Sequence, residues 1–130
     1  MVVIYLYCVI MCMREMENTL NKPQGFYNMK KYTLYLGLND KDTKKQEVNY
    51  FDAYKLVNSI VLSRVNGATF SKREGYYKHE DGTLVIENTI CIELLFTDFE
   101  TVKEIVALLK ETFNQESIAV QTQTIESELM

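Results

Sequence analysis

The chain has 130 residues, 47% of them hydrophobic and 25% charged, with a net charge of −4. That length holds one domain around one core. The acidic balance excludes a non-specific nucleic-acid binder, which needs a basic face to neutralise phosphates.

Residues 1–13, MVVIYLYCVIMCM, are apolar but too short for a bilayer span of roughly 20 residues. They lack the basic start and small-residue cleavage site of a signal peptide. Residues 14–28 are polar, contain Pro23 and Gly25, and show no period. The reading is therefore a disordered or non-native extension over 1–28, with Met29 as the true start, and one ligand-binding domain over 29–130. Gln24-Gly25 can be encoded by a purine-rich ribosome-binding sequence a few codons before Met29. Cys8, Cys12 and Cys91 form no paired spacing, so a disulfide framework is not expected. One histidine and no clustered cysteines predict no metal site.

Regular pattern begins at Lys31. Tyr32, Leu34, Leu36 and Leu38 alternate with Thr33, Tyr35 and Gly37, which predicts a half-buried strand. Residues 39–45, NDKDTKK, read as a solvated loop. Asn49 caps a helix starting near Tyr50, with Ala53, Val57, Ile60, Val61 and Arg64 at helical spacing and a stop at Asn66-Gly67. A strand over about 68–78 follows, with Gly75 as a bulge or close approach. Asp81-Gly82 supplies the positive-φ turn of a hairpin into a strand over 83–96. On that strand Leu84, Ile86, Ile90, Ile92, Leu94 and Phe96 share one face, interrupted by Asn88.

Thr97 to Glu100 reads as a capping box. It opens a helix with the stripe Phe99, Val102, Ile105, Val106, Leu109 and Phe113. Residues 117–125 close as a strand. The order β-α-β-β-α-β predicts an α+β, ferredoxin-like fold: a four-stranded antiparallel sheet with both helices on one face. The other sheet face, with Thr33, Tyr35, Glu87, Thr89, Cys91, Glu93 and Gln121, is too mixed for plain solvent and predicts contact with another copy of the chain.

The hairpin concentrates the polar and aromatic groups. Tyr76 and Tyr77 point to opposite faces, as do Lys72 and Arg73, so a ring and a cation share one side. Asn88 sits among apolar neighbours, where its amide needs a partner from a ligand or a second chain, or else the strand bulges and exposes it. His79 has a pKa suited to acid–base work but lies beside a turn. No GxSxG, GxGxxG or P-loop is present. These residues predict no catalytic set and no cofactor. The candidate ligand-binding residues are Arg73, Tyr76, Tyr77, Lys78, His79 and Asn88, with Arg64 and Asn39 beside them.

From Met29 onward the chain resembles the phage Thoeris anti-defence proteins of the first-described type, the sponges for cyclic ADP-ribose signals. The residues that carry this are 32–47 (YTLYLGLNDKDTKKQE), 77–82 (YKHEDG), 87–90 (ENTI) and 113–117 (FNQES). The resemblance implies a non-enzyme in the cytoplasm of an infected bacterium. It implies a dimer-based homo-oligomer, up to a hexamer, that sequesters a cyclic ADP-ribose isomer or related cyclic nucleotide without cleaving it. DNA, RNA and membranes are not expected partners. Two other classes stay open: a small dimeric α/β-barrel enzyme without cofactor, using His79, and a pure protein-interaction module.

Overall fold

The computed structural model describes residues 27–130, so the reading of residues 1–26 lies outside the described residues. Strand β1 (Tyr27–Gly37) opens the fold. Tyr27 and Asn28, assigned above to the extension, belong to it and pair with Ser127 and Glu126. Helix α1 (Tyr50–Leu62) follows, then β2 (Thr69–Lys78), β3 (Leu84–Leu94), α2 (Phe99–Thr112) and β4 (Ala119–Ser127). The strands form one antiparallel sheet in the order β2-β3-β1-β4, the expected ferredoxin-like arrangement.

The core lies on one face of that sheet. Leu34, Leu36, Ile90, Ile92 and Leu94 are buried completely against Ala53, Val57 and Val61 of α1 and Val102, Ile105 and Leu109 of α2. The helical residues recur every three or four positions, which places them on one stripe. Each large side chain withdrawn from water contributes roughly 1.5–3 kcal/mol.

Helix starts follow local chemistry. Asn49 Oδ1 accepts the Asp52 N–H at 2.9 Å. At α2 the cap is Asp98, not Thr97: Asp98 Oδ1 accepts the Thr101 N–H at 2.7 Å, which lowers the pKa of Asp98. Helix α1 ends at Leu62, earlier than the Asn66-Gly67 stop. The Ser63 hydroxyl donates to the Ile60 carbonyl at 2.6 Å and the Arg64 N–H turns back to the Val61 carbonyl, which tightens and closes the last turn. Arg64 is therefore outside the helix.

Three further details differ from expectation. Gly75 is no bulge: Glu74, Gly75 and Tyr76 pair in unbroken register with Asn88, Glu87 and Ile86. Strand β3 stops at Leu94, and Phe96 takes a left-handed φ of 56° beyond it. In the hairpin turn only Gly82 has positive φ, at 86°. The His79 N–H donates to the Thr83 carbonyl and the Gly82 N–H to the His79 carbonyl. The connection is thus a turn followed by a left-handed glycine, not a two-residue loop.

Candidate functional site

The β2–β3 hairpin runs past the C-terminal end of β1, since β1 pairs with β3 only as far as Gly37 opposite Thr89. Beyond that point a cleft of about 360 Å³ opens between three segments. The hairpin contributes Tyr77, His79, Val85 and Glu87. The β1–α1 loop contributes Asn39, Asp40, Lys41 and Lys44. The α2–β4 connection contributes Gln115, Glu116 and Ser117.

Glu87 organises the floor. It sits on the uncovered face of β3 and is half-buried, and its Oε1 accepts the Asn39 N–H at 2.9 Å. To reach that donor the carboxylate crosses directly over Gly37. A Cβ at Gly37 would collide with both carboxylate oxygens, so any larger residue there displaces the carboxylate. On its other side Glu87 faces Gly75 across the β2–β3 register. Of these two glycines, Gly37 is the one that clears the ground for the carboxylate. The close approach expected at Gly75 falls at Gly37 instead, since a Cβ at Gly75 would meet only ordinary contacts.

The loop wall is built from backbone up. Asp40 Oδ1 accepts the N–H groups of Asp42 and Thr43 at 2.8 and 3.0 Å. The Asn114 side-chain amide reaches both oxygens of Asp40 and Oδ2 of Asp42. The Thr43 N–H, then the Asn114 amide, then the Asp42 N–H hold the Asp40 carboxyl below its ordinary range. Gln115 Nε2 donates to the Asn39 carbonyl at 2.7 Å and Lys41 N–H to the Asn114 carbonyl at 3.0 Å. The NDKDTKK stretch is therefore pinned to the end of α2, while residues 41–45 stay exposed as expected of a solvated loop. On the hairpin wall Tyr77 and His79 meet edge to face, with centroids 5.5 Å apart.

Of the residues singled out in the sequence, Asn39, Tyr77 and His79 converge on this cleft. The others do not. Arg73 shares the uncovered face with Tyr77 but lies farther down β2, exposed, with Nε on Ser71 Oγ at 3.3 Å. Tyr76 and Lys78 point to the opposite face, where the Tyr76 hydroxyl donates to Glu74 Oε2 at 2.8 Å. Asn88 finds its partner inside the chain: its Nδ2 donates to Gln46 Oε1 at 2.8 Å, so neither a ligand nor a second chain is required there. Arg64 pairs with Glu104 at 3.3 Å and lines a separate cavity with Phe96 and Thr97, beside the start of β2 and hence at the other end of the sheet.

Glu87, Glu116, Lys41 and Lys44 had no place in the expected site. Glu87 was readable only as one polar residue on a mixed face. Its significance comes from Gly37 and Asn39, far away in sequence. Among the described residues no group of three or more His, Cys, Asp or Glu side chains is placed to hold a metal, and no helix is long and apolar enough to cross a membrane.

Fold and cleft together define a class: a small ferredoxin-like α+β protein with a carboxylate-floored, tyrosine-walled cleft at one end of its sheet. The chain belongs to the family described as protein of unknown function DUF3574, whose pattern matches residues 31–128. Curated proteins give no match. Among solved structures it is similar to a phage SAM lyase in its apo state, with 23% identity, 78% of this chain and 90% of that one covered, and a TM-score of 0.54. The same lyase in complex with S-methyl-5'-thioadenosine gives 24% identity, coverage of 83% and 92%, and a TM-score of 0.54. CutA1 from Oryza sativa gives 13% identity, coverage of 78% and 85%, and a TM-score of 0.50. The likeness to a lyase overturns the expectation that the chain is no enzyme: a chain of this fold and of similar length is one.

Proposed function

We propose that the protein is a small enzyme that cleaves an adenosyl sulfonium, S-adenosylmethionine, at the Glu87 cleft and releases S-methyl-5'-thioadenosine. The observation that carries this reading is Glu87 itself, a half-buried carboxylate held by the Asn39 N–H beside an aromatic wall. The substrate of the similar lyase, and the ligand bound to it, support this reading.

The chemistry balances without water or cofactor. The bond between sulfur and the γ-carbon of the amino-acid tail breaks, and sulfur keeps the electron pair and becomes a neutral thioether. The tail's own carboxylate bonds to that carbon and closes a lactone. Because the sulfonium charge disappears on the way, a carboxylate resting against sulfur would hold the substrate more than the transition state. Glu87 therefore acts on the tail's ammonium, whose charge persists, and orients the tail for ring closure. Tyr77 offers its ring to adenine, a contact worth roughly 1–3 kcal/mol. Removal of an adenosine-bearing host molecule would serve a phage as an anti-defence activity.

The test is incubation of the protein with S-adenosylmethionine and chromatography of the products. Wild type should release methylthioadenosine, and Glu87→Gln should lower kcat/KM more than tenfold. No methylthioadenosine from wild type would contradict the reading.

A second reading rests on Lys41 and Lys44 in the same cleft. Two ammonium groups suit a diphosphate, so the cleft would take up a cyclic ADP-ribose isomer, which shares the adenosine. Calorimetric titration with that compound tests it, and absence of heat would sink it.

A further inference from the structure

The two edges of the sheet are built differently. Edge strand β2 carries Lys72, Arg73, Glu74 and Lys78, the kind of charge that discourages another strand from pairing. Edge strand β4 is guarded only near its C-terminal end, by Glu126. Residues 117–125 (SIAVQTQTI) contain no charge, no proline and no glycine. The strand is unbulged over nine consecutive pairs with β1, and Ala119 to Thr124 are all exposed. Its outer backbone groups form a straight, uncharged template.

We infer that β4 is the dimerisation edge, where β4 of a second copy adds antiparallel and joins two sheets into one of eight strands. The sequence of the strand selects a copy of itself. With the two-fold axis at Thr122, Gln121 stands opposite Gln123, Val120 opposite Thr124, and Ala119 opposite Ile125. Glu126 then faces Ile118 and never its own copy, so no like-charge pair forms. Gln121 meets Gln123 on one face and Val120 meets Thr124 on the other, polar with polar and β-branched with β-branched, the pairings that stabilise antiparallel strands. The contact is isologous and closes on itself, so it yields a dimer and not a fibre. It leaves Glu87 clear, because the cleft lies at the end of the sheet and shares only Ser117 with this edge.

Light scattering on the full chain at tens of micromolar should give twice the 15.2 kDa monomer mass. The double variant Gln121→Lys, Gln123→Lys places like charges across the axis and should run as a monomer with an unchanged far-ultraviolet spectrum. The control Thr69→Lys, Ser71→Lys on β2 should stay dimeric. Independently, Thr122→Cys should cross-link to a covalent dimer under mild oxidation, above the background set by the native cysteines in wild type. A monomeric wild type, a dimer that survives the double lysine variant, or Thr122→Cys that stays at background would each overturn the inference.

Discussion

The two faces of strand β3 were written by the same alternation and do opposite work. Its inner face, Ile90, Ile92 and Leu94, is sealed under two helices. Its outer face is covered by no helix of the described residues; small Cys91 is buried there between its neighbours, Glu87, Thr89 and Glu93 are half-buried, and one polar group is given a fixed position: Glu87 lies over Gly37 with the Asn39 N–H as its anchor. The inner face depends on volume and the outer face on the absence of it. Toward the hairpin tip the distinction fades. The helices no longer reach, and Ile86 on the inner face is 56% exposed.

The comparison can be broken hardest from the inner side. Leu34→Ala, at a fully buried site, should cost about 2–5 kcal/mol in denaturant unfolding, with the slope unchanged. A loss below 1 kcal/mol would mean that the core relaxes around the cavity. On the outer face Gly37→Ala is the sharper change. It should leave the protein folded yet push Glu87 off Asn39, and lower methylthioadenosine release at least tenfold, about 1.4 kcal/mol. If activity and the Asn39 amide resonance are both unchanged, Glu87 is not held as described.

Smaller effects separate cap and loop from cleft. Asp98→Ala removes the α2 cap and should cost about 1 kcal/mol with activity unaffected. Acid should loosen the loop wall. The folded state holds the Asp40 carboxyl below its ordinary value, so the unfolded chain binds its proton more tightly. The contribution of Asp40 is whole above that value and lost as pH falls through the lowered pKa. Hydrogen exchange at the Asp42 and Thr43 amides, followed downward from about pH 5, should accelerate only below the ordinary carboxyl range; earlier acceleration would contradict the assignment. His79→Ala should change activity by no more than a few-fold, because ring closure needs no proton acceptor.

The fold was legible because its determinants are local. Leu34 and Leu36 alternate, Asn49 caps, Ile105 and Leu109 repeat at helical spacing, and Gly82 turns. The candidate site was legible only where it is local too, as with Tyr77 and His79 on one hairpin. Glu87 gains its position from Gly37, and Asp40 from Asn114 on the far side of two helices. Such pairs leave no trace in periodicity. Asn88 misled for the same reason, since its partner Gln46 lies in a loop that pattern alone cannot fold back.

The central claim is that the cleft around Glu87 is where an adenosine-bearing molecule binds. Amide resonances of the isotopically labelled protein, followed during titration with S-methyl-5'-thioadenosine, test it directly. Saturable shifts confined to Asn39, Tyr77, His79 and Glu87 and the segment around Gln115 are expected. Shifts confined to the Arg64–Thr101 end of the sheet, or none at saturating ligand, would contradict it.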